Sequence, residues 1–346
     1  MQNEFGIDIQ QTSEWISSRY EHLKAPYEFN LISGGRSNLT FEVTDSLGHK
    51  VCLRRPPVSH VLPTAHDMAR EFKIISSLNQ VNFAVPKTIG ICTDLNITGS
   101  TFYLMEFVEG YILRDVEALA DLGTPFRSKA SRSLIEALYA LHSIDPDAIG
   151  LGDLSKKQGY IERQLKRWFS QFLSSQELTG RVVKSVEQAY HYLSSNVPAQ
   201  TRTSIVHGDY RLDNCVLDFQ GNLLAVLDWE LCTLGDPMAD LGLLMVYWAE
   251  EGDPITALES APTAEGGFMS RQEMANIYSS LGDIDIEKLD YYVAFGYWKL
   301  ACILEGVFSR YALGAGAGDQ RDYRIYGEQV DILANRALEI ISGKSL

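Results

Sequence analysis

The chain of 346 residues is poor in the features that mark several specialised classes of protein. It has five cysteines, Cys52, Cys92, Cys215, Cys232 and Cys302. They are scattered, odd in number and without CxxC spacing, which excludes a cysteine zinc site and a disulfide framework as organising principles. Basic residues are scarce beside acidic ones, 30 against 45, and the formal net charge is −15. A general nucleic-acid binder needs a basic face for phosphates, so no nucleic-acid partner is expected. The acid excess suits ordinary solubility and is compatible with a cationic substrate. No apolar run is long enough to span a bilayer. The start, "MQNEFGIDIQ", lacks the basic head and apolar run of a secretory signal. The expectation is a protein without a membrane partner, in a reducing cytoplasm.

The chain is 45% hydrophobic, enough to bury a substantial core. Residues 11–23 place Trp15, Ile16, Tyr20 and Leu23 at helical spacing, with Ser13 as a candidate cap. "YEFNLISGGRSNLTFEVTDSLGHKVCLRRPP" alternates like strands, with turns at Gly34-Gly35 and Leu47-Gly48 and a stop at Pro56-Pro57. A helix follows with Met68, Phe72, Ile75 and Leu78 on one face, and then the short strand "TFYLMEFVEG". Beyond it the pattern turns helical, over 128–142, 160–173 and 181–194. Two short strands, "NCVLDF" and "LLAVLDW", interrupt it at a Gln220-Gly221 turn. "MADLGLLMVYWAE", "RQEMANIYSSL" and a long apolar helix from Leu289 complete the series, with Ser270 and Glu273 as a capping box. Residues 252–267 and 313–322 read as loops. The expected class is α+β. Residues 1–107, with the leading helix 11–23, read as a β-rich segment with one further helix. Residues 108–346 read as a helix-rich segment with one β-hairpin.

The chemistry concentrates in "SIVHGDYRLDNCVLDFQGNLLAVLDWE", residues 204 to 230. Asn214 follows Asp209 at a spacing of five, and the hairpin folds Asp228 back toward Asn214. Three oxygen-bearing side chains of this kind suit a magnesium–nucleotide, because magnesium takes one or two carboxylates plus phosphate oxygens and water. Asp209 would lie beside the ion, where it can orient a hydroxyl and accept its proton, and Arg211 is close enough to meet the transferring phosphate. The competing reading is that these acids cap turns.

"HGDYRLDN" resembles the catalytic loop of the protein-kinase-like fold in its aminoglycoside phosphotransferase and choline kinase branch, where H-G-D stands for the H-R-D of protein kinases. "LDWE" resembles the branch's metal-binding aspartate. The resemblance covers nearly the whole chain. It implies a bilobal protein-kinase-like fold, with a small lobe of antiparallel sheet and one key helix over 1–107 and a larger, mainly helical lobe with a catalytic β-hairpin over 108–346, and it implies ATP or GTP as co-substrate and Mg2+. It also implies Asp209 as catalytic base and Asn214 and Asp228 as metal ligands, with Arg211 where many kinases carry a lysine near the γ-phosphate.

For the nucleotide, the backbone of Gly34, Gly35, Ser37 and Asn38 is expected over the phosphates. Arg54, or by alternation Arg55, replaces the usual lysine, with Glu71 as its partner acid. The backbone near Glu106 and Val108 is expected at the adenine, with Met105 behind it. His207 and His142 are expected to be structural, as are Asp236 and Asp240, which brace the loop.

The acceptor is expected to be a small hydroxylated molecule lying beyond Asp209, with Tyr210, Trp229, Glu230, Tyr247, Trp248 and Arg310 as candidate linings. "LRRPP", "RQLKRWFSQF", "DWELCTLGDPMADLGLLMVYW" and "YYVAFGYWKLACILEGVFSRY" resemble the phosphotransferase-like domains fused to some acyl-CoA dehydrogenases. That implies a hydroxyacyl-CoA or similar metabolite. An aminoglycoside would call on Glu230, Glu250, Glu251 and Asp253, and a CoA thioester on Arg163, Lys166 or Arg167. The arginine in place of lysine leaves open a nucleotide-binding pseudokinase that acts as a regulatory module. A protein kinase does not fit, because "GDPMADLG" follows "LDWE" almost at once, without an A-P-E-like activation segment.

Overall fold

The computed structural model describes residues 6–33, 38–57, 67–253, 260–314 and 322–344. The chain divides into two compact units. The first comprises residues 1–110, 149–151 and 224–230, and the second the remainder. The segment that carries Asp228 and Glu230 therefore belongs with the front of the chain.

The first unit opens with α1 (Ile9–Arg19). Its N-cap is Asp8, not Ser13: the Asp8 carboxylate accepts the Gln11 N–H at 2.9 Å. Ser13 lies inside the helix and donates to the Ile9 carbonyl. A carboxylate at this position satisfies a first-turn N–H and also complements the helix dipole. Next come β1 (Glu28–Ser33), β2 (Leu39–Thr44), β3 (Lys50–Arg55), α2 (Met68–Asn79), β4 (Thr88–Cys92), α3 (Leu95–Thr98) and β5 (Phe102–Glu106). The five strands make one antiparallel sheet in the order β1-β2-β3-β5-β4. The sequence reading did not foresee β4.

Strand alternation divides this unit into two faces. Phe41, Val43, Val51, Leu53, Phe102 and Leu104 point to one side and pack with Trp15 and Ile16 of α1. Trp15 meets Phe102 edge-on at 5.0 Å between ring centres. Each such fully buried apolar side chain contributes roughly 1.5–3 kcal/mol. The opposite face carries Cys52, Arg54, Tyr103 and Met105, and α2 covers it, with Phe72 5.9 Å from the Tyr103 ring.

The second unit contains α4 (Thr124–Ser143), α5 (Tyr160–Thr179), α6 (Lys184–Ser195), β6 (Ser204–Val206) and β7 (Cys215–Leu217). After β8 (Leu223–Val226), most of which belongs to the first unit, come β9 (Thr233–Gly235), α7 (Met238–Tyr247), α8 (Arg271–Gly282), α9 (Leu289–Ala312) and α10 (Arg324–Ile341). The capping box of α8 forms as expected, with Ser270 and Glu273 each accepting from the other's backbone. The sequence reading passed over α10, although Tyr326, Val330, Leu333, Ala337 and Ile340 are buried on one face. The spine is α9, which packs on α5, α7 and α10. It is surrounded on several sides and so is apolar nearly all round. Gly242 lets α7 approach α9 closely, since a Cβ there would lie 2.5 Å from the Tyr292 carbonyl carbon. Among the described residues, no helix is long and apolar enough to cross a membrane.

Candidate active site

In the first unit, alternation decides between the two arginines of β3. Arg54 shares the face covered by α2, and its Nε lies 3.1 Å from the Glu71 carboxylate. Arg55 points to the α1 side, where it donates to the carbonyls of Gly6 and Pro56. Arg54 also donates to Asp228 at 2.6 Å. Burial alone would lower the pKa of this guanidinium, but Glu71, Tyr103 and Asp228 more than offset it and hold the charge. Asp228 has a positive φ of 64°, a left-handed conformation that aspartate tolerates better than most residues. The Asn38 amide donates to Glu230 at 3.2 Å and, more weakly, to Glu71 at 3.5 Å. Arg54, Glu71, Asp228, Glu230 and Asn38 thus form one polar cluster. Gly34, Gly35 and Ser37 lie outside the described residues.

At the end of β5, Glu106 donates its N–H to the Lys87 carbonyl at 2.8 Å and accepts from the Lys87 N–H at 3.3 Å. Its own N–H is therefore occupied. Val108 follows two residues later. Met105 is buried and faces Cys52 across the sheet.

In the second unit, the loop after β6 sets the position of Asp209. Gly208 has φ +86°, and a Cβ on it would come within 2.9 Å of the Leu231 carbonyl, so glycine is required there. Asp240, on α7, accepts the His207 N–H at 2.6 Å and the Gly208 N–H at 2.9 Å. Burial pushes its carboxyl up, but His142 and these donors outweigh that and hold it below the usual range. His142 bridges Asp240 and the Tyr278 hydroxyl, at 3.2 and 2.7 Å. Asp236 accepts from Tyr292 at 2.6 Å and from the Met238 N–H at 3.1 Å. The bracing of the loop is thus visible for Asp240, with His142 a linked member of it, whereas Asp236 binds Tyr292 of α9 and the start of α7.

A short 3-10 turn, Leu212–Asn214, brings Asn214 back to Asp209. The Asn214 amide donates to the Asp209 carbonyl at 2.9 Å and to its Oδ2 at 3.2 Å. The Tyr247 hydroxyl donates to Oδ1 at 2.9 Å. Arg211 Nε lies 3.3 Å from Asp209 Oδ2 and 3.1 Å from Asp213 Oδ1, and its guanidinium stacks 5.2 Å from the centre of the Tyr247 ring. Burial raises the Asp213 carboxyl, against the pull of Arg211.

Two groups near this loop were not foreseen in their present roles. Tyr247 had been a candidate substrate contact, yet its hydroxyl is bonded to Asp209. Lys299 of α9 was not singled out, and its ammonium donates to the Gly208 carbonyl at 2.9 Å. The available signal was a single charge in the run between Asp290 and Glu305.

Several expected linings belong to the core. Tyr210 is fully buried and donates to the Leu134 carbonyl. Trp229 is buried in the first unit, and its indole donates to the Val226 carbonyl. The Trp248 indole donates to the Met269 carbonyl at 2.8 Å, although the residue also borders a pocket. That pocket is a small cleft of about 20 Å³, lined by Arg114, Arg211, Asp213, Tyr247, Trp248 and Thr263 among others. Of the acids considered for a polycationic substrate, Glu250 and Asp253 are paired with Arg271. Arg163 and Arg167 do not line the pocket. Arg163 donates to nearby carbonyls and Arg167 stacks on Trp168.

The two candidate metal ligands have suitable donor chemistry. Asn214 directs its amide nitrogen to Asp209, which leaves its hard carbonyl oxygen for an ion. Asp228 contributes a carboxylate. Among the described residues there is no cluster of three or more His, Cys, Asp or Glu that could hold a metal.

The family model of the phosphotransferase enzymes matches residues 28–268. Acyl-CoA dehydrogenase family member 10 of Mus musculus is 32% identical over 297 residues, covering 85% of this chain and 27% of that protein. The chain spans well under half the length of the curated relatives it matches, from 27% to 40%. A structure from Ralstonia eutropha, provisionally described as an aminoglycoside phosphotransferase, is 28% identical with a TM-score of 0.80, over 98% of this chain and 99% of that one. The ADP-bound aminoglycoside phosphotransferase APH(2'')-Ib gives a TM-score of 0.61 at 13% identity, over 96% and 99% of the two chains, a likeness of fold alone.

Proposed function

This chain belongs to the phosphotransferase enzyme family, as a kinase-like phosphotransferase with an alcohol acceptor, and from that premise we propose that it transfers the γ-phosphate of ATP or GTP to a small hydroxylated metabolite. Asp209 is the base in this reading. As the acceptor oxygen bonds to the γ-phosphorus, its proton passes to the Asp209 carboxylate. The bond from that phosphorus to the β–γ bridging oxygen breaks, and the electron pair leaves with the nucleoside diphosphate. The observation that carries this reading is the setting of Asp209. Tyr247 fixes one carboxylate oxygen, and Asn214 with Arg211 fixes the other. A carboxylate has about four lone-pair sites, so room remains for the acceptor hydroxyl. Asn214 and Asp228 would hold magnesium, which when bound neutralises charge on the phosphate oxygens. Arg54, held by Glu71, would contact the nucleotide phosphates, and the backbone near Glu106 and Val108 the adenine.

For the acceptor, the likeness to acyl-CoA dehydrogenase family members supports a hydroxyacyl-CoA or a related hydroxylated metabolite over an aminoglycoside. Two of the acids a polycation would need are already paired with Arg271.

One observation favours a second reading, a nucleotide-binding pseudokinase. The carboxylate proposed for magnesium is bonded to the Arg54 guanidinium. Nucleotide consumption separates the two. The assay contains magnesium with ATP or GTP, and a panel of hydroxyacyl-CoAs, sugars, amino alcohols and aminoglycosides, with Asp209→Asn as the blank. Turnover with hydroxyacyl-CoAs, absent in the variant, is the expected result. Nucleotide binding without turnover of any panel member would favour the pseudokinase.

A further inference from the structure

Lys299 lies in the interior of α9, in a stretch where every neighbour from Tyr291 to Leu304 is uncharged. It is 6% exposed. An ammonium in such a place is expensive to bury, and an apolar side chain of similar volume would pack there without that penalty. What the ammonium does locally is specific. It donates to the Gly208 carbonyl at 2.9 Å, and the centre of the Trp168 ring lies 5.9 Å from the nitrogen. Charge of both signs surrounds it: Asp209 and Asp240 support the ammonium, while burial and Arg167 oppose it.

Gly208 is therefore gripped from two sides. Its N–H is held by the Asp240 carboxylate at 2.9 Å and its carbonyl by Lys299 at 2.9 Å. The next residue is Asp209. With φ at +86°, glycine has the freest backbone of any residue, so an unrestrained loop here would let the following aspartate wander. A displacement of about 1 Å at a reacting group costs roughly 100-fold in rate.

We propose that Lys299 is a positioning residue: its buried ammonium fixes the Gly208 carbonyl, and with Asp240 on the other side this fixes the main chain that presents Asp209. This role rests on the proposed phosphotransfer by Asp209, and it concerns the orientation of the base, with no contact to substrate.

The test is Lys299→Met in the full chain, read by steady-state kinetics and by amide hydrogen exchange. The expected result is a kcat lowered about 10- to 100-fold, with KM for nucleotide and acceptor each within about 2-fold of wild type. The thermal midpoint should move by no more than about 5 °C. Exchange should quicken in the peptide that spans residues 204–210, with the rest of α9 unchanged. If the methionine variant does not fold, Lys299→Gln reaches about one bond less far, loses the same contact and should give the same split. An unchanged kcat with unchanged exchange would overturn the proposal. So would a fall in kcat matched by higher KM values and general loss of protection, which marks a merely structural lysine. If the wild type itself shows no turnover, the phosphotransfer reading fails, and unchanged exchange at 204–210 would still count against Lys299 independently.

Discussion

Arg54 and Lys299 are both cations shielded from water, Lys299 buried and Arg54 nearly so, one in each unit of the chain, and the protein treats them in opposite ways. Arg54 has two carboxylates against it, at 3.1 and 2.6 Å, and they hold it firmly charged despite its burial. Lys299 is bonded to a neutral carbonyl, and burial lowers its pKa from the usual 10.5. The difference follows from the roles proposed for the two cations. A residue meant to face a polyphosphate must keep its charge, and a partner acid guarantees that. A residue meant to hold one peptide oxygen needs a directed N–H, and its remaining charge is a burden that the more distant acids partly relieve.

The comparison breaks most completely at Arg54. Arg54→Met leaves Glu71, 2% exposed, as an unpaired buried carboxylate. Removing one partner of such a pair costs roughly 3–5 kcal/mol. A lowered denaturant midpoint and weakened nucleotide binding are expected together. Arg54→Lys keeps the charge but loses the planar fork, so it should fall between the variant and wild type.

Tyr247 sharpens the contrast, because it supports the same aspartate as Lys299 through a neutral group. Tyr247→Phe removes one hydrogen bond to a carboxylate, 2.9 Å long. At about 1.5 kcal/mol for a bond to a charged group, turnover should fall about 10-fold while nucleotide affinity stays constant. A large loss of nucleotide affinity would show that Tyr247 belongs to the nucleotide site.

The smallest effect is on pH. Burial depresses the folded-state pKa of Lys299, so between that value and 10.5 the unfolded chain binds more protons than the folded one. Stability then rises with pH across that window, and the penalty for burying the charge is fully present below it. Lys299→Met lacks this rise. The stability difference between the two proteins should shift in favour of wild type as pH climbs toward 10.5. Parallel curves would mean that Lys299 titrates normally.

Much of this was legible in the sequence. The α+β class, the sheet of the front part, the capping box at Ser270 and the grouping of Asp209 with Asn214 all follow from local pattern. The choice of Arg54 over Arg55 needed one added fact, that α2 covers the face shared with Cys52 and Tyr103. β4 was missed because "TIGIC" carries a glycine and is largely half-buried, so its alternation is weak. Tyr210 and Trp229 were candidate linings for an acceptor lying beyond Asp209. Their polar atoms instead satisfy backbone carbonyls of the core. Lys299 was missed for a different reason. It lies 90 residues beyond Asp209, and only the packing of α9 brings it to Gly208.

The most direct test of Asp209 as the base separates binding from chemistry in one variant. Nucleotide affinity in the presence of magnesium and turnover of the acceptor found by the panel are measured on wild type and Asp209→Asn. The account predicts affinities within about 3-fold of each other and turnover reduced by at least about 100-fold, in line with the loss of a general base. Undiminished turnover in Asp209→Asn would contradict it.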